Sequence, residues 1–239
     1  MSLSASIPVL KSKARKLRRA ERIRLSEALD RVAAAEGYVS WSLLVAKERA
    51  PHGQVPLVRA DAGELVLVGA RPGQGKTLWA LQQLVSALHR RRRGWYFSLD
   101  NDAARIDTLL DSLGERRSAF GEALCFEHSD SIDARHIIER VGRDGADGAV
   151  VVVDYLQLLD QRRASPPLQQ QVSALGELAK QMRCVVVLIS QIRSAFDTSA
   201  QPLPGVDDVR LLDALDLQLF DELVFLHQGR LSLRHAGTR

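Results

Sequence analysis

The chain has 239 residues, of which 46% are hydrophobic and 26% are charged, and its formal net charge is +4. This composition is typical of a soluble globular protein. The sequence contains no apolar run of about 18 residues, which a membrane helix requires, and its first residues lack the apolar core of a secretory signal. We therefore expect a cytoplasmic protein that has no membrane partner.

Basic residues are concentrated in two places. Residues 11–24 contain eight lysines and arginines and one glutamate, and HRRRR at 89–93 forms a second cluster. Clusters of positive charge attract polyanions such as nucleic acids. They are equally well explained as the solvated face of a helix, so both interpretations stay open at this point.

The first fifty residues form a predicted helical unit. LSEALDRVAAAEG at 25–37 repeats apolar residues with the spacing of one helix face, and Gly37 is a natural helix end. Prolines and glycines then interrupt the chain between 50 and 60. We predict a basic, helical amino-terminal segment at 1–52 and a second domain at 53–239. The segment is compatible with a nucleic-acid-binding arm, an oligomerisation hook or a helical hairpin that only packs.

From about residue 61, apolar runs alternate with amphipathic stretches. The predicted strands are 64–69, 95–100, 124–127, 149–154 and 184–190, and the predicted helices are 77–92, 103–113, 131–143 and 168–182. Near-continuous apolar strands that alternate with helices indicate an α/β fold with a parallel sheet covered on both faces. DELVFLHQGRLSLRH at 221–235 predicts a carboxy-terminal β-hairpin that turns at Gln228 and Gly229.

The stretch GARPGQGKT at 69–77 lies between an apolar strand and a helical pattern. It fits the P-loop pattern G-x-x-x-x-G-K-[ST], with Ala70 in place of the first glycine. Backbone N–H groups of such a loop bind phosphates, the lysine reaches the β and γ oxygens, and the threonine hydroxyl ligates Mg²⁺. The predicted nucleotide-binding residues are Ala70, Arg71, Pro72, Gly73, Gln74, Gly75, Lys76, Thr77 and Leu78. Lys76 is also a predicted catalytic residue, and Thr77 is a predicted metal ligand.

Three further predicted strands end in polar residues. VVVVD at 150–154 ends in Asp154, which is a predicted Mg²⁺ ligand of the Walker-B type, together with the P-loop threonine. WYFSLD at 95–100 ends in Asp100, a second carboxylate at a strand end. CVVVLISQ at 184–191 ends in Gln191, whose amide is a candidate sensor of the γ-phosphate. Open α/β sheets place ligand chemistry at such strand ends.

Together these four pieces resemble the C-terminal ATPase domain of DnaB-type replicative helicases, a RecA-like family. The resemblance rests on GARPGQGKT, FSLD, VVVDYLQLL and VVVLISQIRS, and it extends over residues 61–226. It implies a RecA-like P-loop NTPase core that uses ATP and Mg²⁺. It also implies catalytic roles for Asp154, for Gln191 and for Asp100, which would orient the attacking water.

The resemblance further implies a nucleic-acid partner, with single-stranded DNA as the first candidate, and a homo-oligomer, with a hexamer as the candidate ring. The loops at 160–167 and 193–206 occupy the positions of the family's DNA-binding loops. Their DNA-binding candidates are Arg162, Arg163 and Arg193, each of which is otherwise an exposed basic loop residue.

The sequence departs from the family at two catalytic positions. Asp100 stands where the family has glutamate, and its carboxylate is one methylene shorter, so Asp102 is an alternative. No K-x-R-x-G arginine-finger pattern occurs near the end of the chain, where the substitutes are Arg230, Arg234 and Arg239. Catalysis is sensitive to misplacement by about 1 Å, and a finger contributes about 10³–10⁵ in rate.

Two hypotheses about function follow. The first is an ATP-hydrolysing DNA helicase or translocase that acts in DNA replication or a related DNA transaction. The second is a RecA- or KaiC-like ATP-dependent switch or accessory ATPase, which binds DNA or a protein partner without unwinding. The departures from the family favour the second hypothesis, and the four motifs favour the first.

Overall fold

The chain is organised around one seven-stranded sheet. The computed structural model describes residues 4–5, 7–41, 44–45, 63–98, 101–129, 132–145, 147–160, 166–193, 195–196, 201–210 and 215–235. The strands are β1 (Leu65–Ala70), β2 (Gly94–Ser98), β3 (Leu124–His128), β4 (Val150–Asp154), β5 (Val185–Gln191), β6 (Glu222–His227) and β7 (Arg230–His235). Their order in the sheet is β3-β2-β4-β5-β1-β6-β7. Every neighbouring pair is parallel except β6 and β7.

Helices connect these strands and precede them. They are α1 (Ile7–Glu21), α2 (Leu25–Ala35), α3 (Lys76–His89), α4 (Ala103–Ser112), α5 (Arg117–Phe120), α6 (Ala134–Asp144) and α7 (Leu168–Met182). The amino-terminal ends of α4 and α6 are capped by Asp102 and Asp133, whose side chains accept backbone N–H groups. The cap explains why α6 begins three residues later than the predicted start at 131. Among the described residues, no helix has the length and apolar character that crossing a membrane requires.

Both faces of the central strands of the sheet are buried, as the apolar strands predict. Along β1, Val66 and Val68 belong to one hydrophobic cluster, whereas Leu65 and Leu67 belong to the other. Helices α3 and α4 contribute to the first cluster, and α6 and α7 contribute to the second. This alternation follows from the two-residue period of a strand. The predicted α/β class with a parallel sheet is confirmed.

The predicted carboxy-terminal hairpin is also confirmed. Strands β6 and β7 pair antiparallel, with His227 opposite Arg230. Gln228 and Gly229 connect them with φ angles of 50° and 75°. Two consecutive positive φ angles match the right-handed twist of a two-residue hairpin.

Helices α1 and α2 pack against each other around a third hydrophobic cluster. Its fully buried members include Leu10, Leu29 and Trp41. The described part of the predicted segment at 1–52 therefore contains the two helices α1 and α2. The predicted boundary between it and 53–239 lies outside the described residues, so this division of the chain stays a prediction.

Candidate nucleotide-binding site

A cavity of about 790 Å³ lies at the carboxyl edge of the sheet. It is bordered by the start of α3, by Asp154 at the end of β4 and by Gln191 at the end of β5. The first N–H groups of a helix have no partner within the helix, and they carry partial positive charge. The cavity therefore combines a helix amino terminus with side chains that end parallel strands, as anion-binding sites of α/β proteins do.

The loop between β1 and α3 depends on two glycines. Gly73 and Gly75 have φ angles of 73° and 93°, a region that other residues rarely adopt. The space around Gly75 is open, whereas a Cβ atom at Gly73 would lie 2.6 Å from Leu29 Cδ1. Gly75 is thus required by the backbone alone, and Gly73 is required both by the backbone and by the contact with α2.

The structure places the nine predicted nucleotide-binding residues in three environments. Six line the cavity: Pro72, Gly73, Gly75, Lys76, Thr77 and Leu78. Arg71 and Gln74 instead line a separate cavity of about 250 Å³ beside α1, and the Gln74 side chain accepts the Gln228 N–H at 2.6 Å. Ala70 is fully buried at the end of β1.

Asp154 is held by three donors that converge on one carboxylate oxygen. Its Oδ2 accepts from the Tyr96 hydroxyl at 2.6 Å, from Asn101 Nδ2 at 2.9 Å and from the Thr77 hydroxyl at 3.1 Å. The residue is only 1% exposed. A buried carboxylate is stable when hydrogen bonds replace the lost water, and this arrangement supplies them.

The donor set around Asp154 fits Mg²⁺. The Asp154 carboxylate and the Thr77 hydroxyl are hard oxygen ligands, which this ion prefers, and they already lie within hydrogen-bonding distance of each other. Burial, with the Asp154 charge as a second cause, raises the pKa of Tyr96 well above its usual range. Tyr96 therefore keeps its proton and acts as a donor to Asp154.

Gln191 borders the same cavity at the end of β5. Its backbone carbonyl accepts the Arg210 N–H at 2.7 Å, and its side-chain Oε1 lies 3.5 Å from Arg210 Nη1. The Arg210 carbonyl in turn accepts from Gln157 Nε2 at 2.7 Å. Gln157 lies in the DYLQLL motif, so this motif ties the segment that contains Arg210 to the strand that ends in Gln191.

Several predicted residues lie elsewhere or outside the described residues. Those that the structure does not describe are Asp100, Arg162, Arg163 and Arg239. The alternative carboxylate, Asp102, accepts the Arg105 N–H at 2.8 Å and acts as a helix cap. Arg193 is exposed beyond β5, where its N–H donates to the Asp208 carbonyl.

The two described substitutes for an arginine finger lie on the edge strand of the sheet. Arg230 and Arg234 are both exposed on β7. Neither is among the residues that line the 790 Å³ cavity in the described part of the chain. A finger role for either residue toward another copy of the chain stays a prediction.

Sequence reasoning missed three residues at this site, namely Tyr96, Asn101 and Arg105. Tyr96 lies in an apolar strand and therefore resembles a core residue. Its hydroxyl group is the one feature of the sequence that could have indicated a polar contact with the neighbouring strand β4. Asn101 directly follows the end of a predicted strand, which is a position that carries ligand chemistry. No local pattern marks Arg105, because its ion-pair partner Asp30 is 75 residues away.

The family described as DnaB-like helicase C-terminal domain matches residues 122–234 of the chain. Three curated relatives are similar over 70–71% of this chain. They are the replicative DNA helicase DnaB of Helicobacter pylori strain J99 (22% identical, 41% of its length covered), that of Leifsonia xyli subsp. xyli (26%, 43%), and a probable plasmid replicative DNA helicase of Chlamydia muridarum (25%, 44%). The chain thus spans about two fifths of the length of these relatives.

Two solved structures share the fold. The first, which is described as an ATPase domain, aligns with a TM-score of 0.54 and 19% identity, covering 77% of this chain and 80% of that one. The second, a DnaB-like replicative helicase solved to describe its interactions with primase, aligns with a TM-score of 0.54 and 20% identity, covering 92% and 65%. The RecA-like fold class and the resemblance to DnaB-type ATPase domains are confirmed.

Proposed function

We propose that this chain, which carries a DnaB-type C-terminal ATPase domain, binds ATP with Mg²⁺ and hydrolyses it as a DNA helicase or translocase. We place the activity in the cytoplasm, in DNA replication or a related DNA transaction. The observation that carries the proposal is the contact between Thr77 and Asp154 beside Lys76. This contact lies at the amino terminus of α3 and at the carboxyl edge of the sheet.

Each described residue has a distinct role in this proposal. The N–H groups of the loop and of the first turn of α3 bind the phosphates, and Lys76 neutralises the charge of the β and γ oxygens. Thr77 and Asp154 would hold Mg²⁺, which would reduce the charge of the triphosphate and fix its orientation. Tyr96 and Asn101 keep the Asp154 carboxylate in place.

The attacking water and the terminal phosphate need two further groups. We assign Asp100 to the water, and Gln191 to detection of the γ-phosphate. Gln191 contacts Arg210, so a movement of Gln191 on loss of the γ-phosphate would be transmitted to the segment at 201–210. The shorter side chain of aspartate gives a reason to expect slower turnover than a glutamate would support.

The partners in this proposal are single-stranded DNA and other copies of the chain. We assign Arg162, Arg163 and Arg193 to DNA phosphates, and we assign a hexamer as the assembly. Support comes from the curated relatives, which are named as replicative DNA helicases. An arginine from a neighbouring copy would complete the site, as phosphoryl transfer benefits from an added positive charge.

The experiment is a steady-state ATPase assay on the full chain, with and without single-stranded DNA, at a concentration where light scattering gives the mass. Lys76→Ala should lower turnover by about 10² or more, because it removes the charge that the transferring phosphoryl group needs. Lys180→Ala, which removes an exposed lysine from α7, is the matched control.

Two results would change the proposal. Equal turnover and ATP affinity in Lys76→Ala and in the wild type would remove the P-loop assignment. A monomer that binds ATP tightly, with slow turnover that DNA does not stimulate, would replace the helicase with the ATP-dependent switch.

A further inference from the structure

The amino-terminal segment, defined here as α1, α2 and residues 36–41, lies against the phosphate loop of its own chain, which is the loop between β1 and α3. Leu29 and Trp41 are both buried, and they enclose the position of Gly73. A Cβ atom at Gly73 would lie 2.6 Å from Leu29 Cδ1 and 3.2 Å from Trp41 Cδ1. Side chains that approach the loop so closely leave no layer of water between the segment and the loop.

A polar link joins the same segment to α4. Arg105 Nη2 donates to Asp30 Oδ2 at 2.7 Å, and the Trp41 N–H donates to Asp30 Oδ1 at 2.9 Å. The side chains of Arg105 and Asp30 are 33% and 25% exposed. Asp30 thus connects two parts of the amino-terminal segment with each other and with the helix that follows β2.

The segment lines the same cavity as the phosphate loop. Glu27, Asp30 and Arg31 of α2 line it, as do Lys76 and Thr77. With the segment in place the cavity keeps a volume of about 790 Å³, within the range of about 300–1,000 Å³ that small-molecule sites occupy. The segment therefore acts as a wall of the site and leaves room for a ligand.

We propose that the amino-terminal segment is a functional wall of the nucleotide site, and that Asp30 is a positioning residue that holds it there through Arg105. Nucleotide binding and docking of the segment then favour each other. Linkage makes this coupling reciprocal, since a ligand that contacts the docked segment shifts the equilibrium toward docking. This inference rests on the proposed function, because it needs a nucleotide in the cavity.

The first test is hydrogen–deuterium exchange of the full chain with and without Mg²⁺ and ATPγS. The expected result is slower exchange at amides of Leu25–Ala35 as well as at the loop 70–78. Protection of the loop without any change in Leu25–Ala35 would overturn the inference and leave the proposed function standing. No protection in either region would instead remove the proposed function.

The second test compares Asp30→Asn with Asp107→Asn. Asp107 lies on the same helix as Arg105 and forms an ion pair with Arg117 that is more exposed than that of Asp30 and lies away from the cavity lining. Asp30→Asn should weaken ATPγS binding by about two- to fivefold, as expected for a partly exposed ion pair. It should also reduce the nucleotide-dependent protection of Leu25–Ala35.

The control variant decides the meaning of the second test. Asp107→Asn should leave both the affinity and the protection unchanged. Equal effects of the two variants, or a loss of stability in Asp30→Asn with full nucleotide-dependent protection, would reduce Asp30 to a purely structural residue and overturn its positioning role.

Discussion

The Tyr96 hydroxyl donates to Asp154 Oδ2 at 2.6 Å, across the pairing of β2 with β4. Ser98 is the register partner of Asp154, and Tyr96 lies two residues before it, so its side chain is on the same face as that of Ser98. The contact is fully buried. A residue in the strand next to β4 therefore fixes the position of the predicted metal ligand.

We expect Tyr96→Phe to lower the free energy of unfolding by about 1.5–3 kcal/mol, because it removes a buried hydrogen bond to a charged group. It should also weaken Mg²⁺-dependent ATP binding, since Asp154 becomes less well oriented. Urea unfolding and calorimetric titration measure the two effects. Thr108→Ala, which removes a hydroxyl on α4 outside the cavity lining, is the control. An unchanged unfolding free energy in Tyr96→Phe would contradict this expectation.

We expect Thr77→Ala to lower the Mg²⁺ dependence of ATP binding by about 10-fold or more, because it removes an oxygen from the predicted metal site. Thr77→Ser keeps the hydroxyl and should retain most of the binding. Thr108→Ala removes a hydroxyl on α4 that donates to the Ala104 carbonyl, and it should have no effect. Equal Mg²⁺ dependence in Thr77→Ala and in the wild type would exclude Thr77 as a ligand.

The pH dependence of stability should carry a contribution from Asp30. Burial raises the pKa of Asp30, and the Arg105 charge opposes this effect. A carboxyl group with a raised pKa binds its proton more tightly in the folded chain than in the unfolded chain. Its contribution to stability is therefore present below its usual pKa, and it is lost as the pH rises through the folded-state pKa.

Accordingly, the unfolding free energy of the wild type should fall relative to that of Asp30→Asn as the pH is raised from about 4. Urea unfolding of both proteins across this range measures the difference. Asp107→Asn provides a baseline for the removal of one carboxylate. If the unfolding free energy of the wild type instead rises relative to that of Asp30→Asn with increasing pH, the pKa of Asp30 is not raised in the folded chain and the prediction is wrong.

The exposed basic face of α1 has a test that separates its two interpretations. Arg15 and Arg19 are exposed and one turn apart. If they contact DNA phosphates, Arg15→Gln with Arg19→Gln should reduce the salt dependence of single-stranded DNA binding, with a slope change of about 0.7 per contact. The exposed pair Arg135 and Arg143 on α6 is the control. An unchanged slope in the α1 variant would identify the face as solvated.

Local sequence patterns predict much of the fold because each of them has a local physical cause. The valine run before Asp154 forms a strand buried on both faces. Asp102 and Asp133 begin helices because their side chains accept N–H groups three residues ahead. Gln228 and Gly229 turn the hairpin through backbone angles that a two-residue connection needs.

The structure brings the central residues of the predicted site together, whereas other predicted residues lie elsewhere. Thr77 and Asp154 meet as their two motifs predict. Arg71 and Gln74 belong to the same loop but line another cavity, because successive residues of an irregular loop do not share a direction. Tyr96 was missed because its strand is apolar and only pairing with β4 brings its hydroxyl to Asp154.

Spacing and composition along the chain were enough to predict the glycine-rich loop between β1 and α3, the parallel α/β core and the terminal hairpin. Each of these depends on neighbours within a few residues or on the apolar character of a strand. The strand order, the donors around Asp154 and the docking of α2 on Gly73 became visible only in the folded structure. Such contacts join residues that are far apart in the chain, and packing of the whole core selects them. For that reason no local pattern could indicate that Asp30 reaches Arg105.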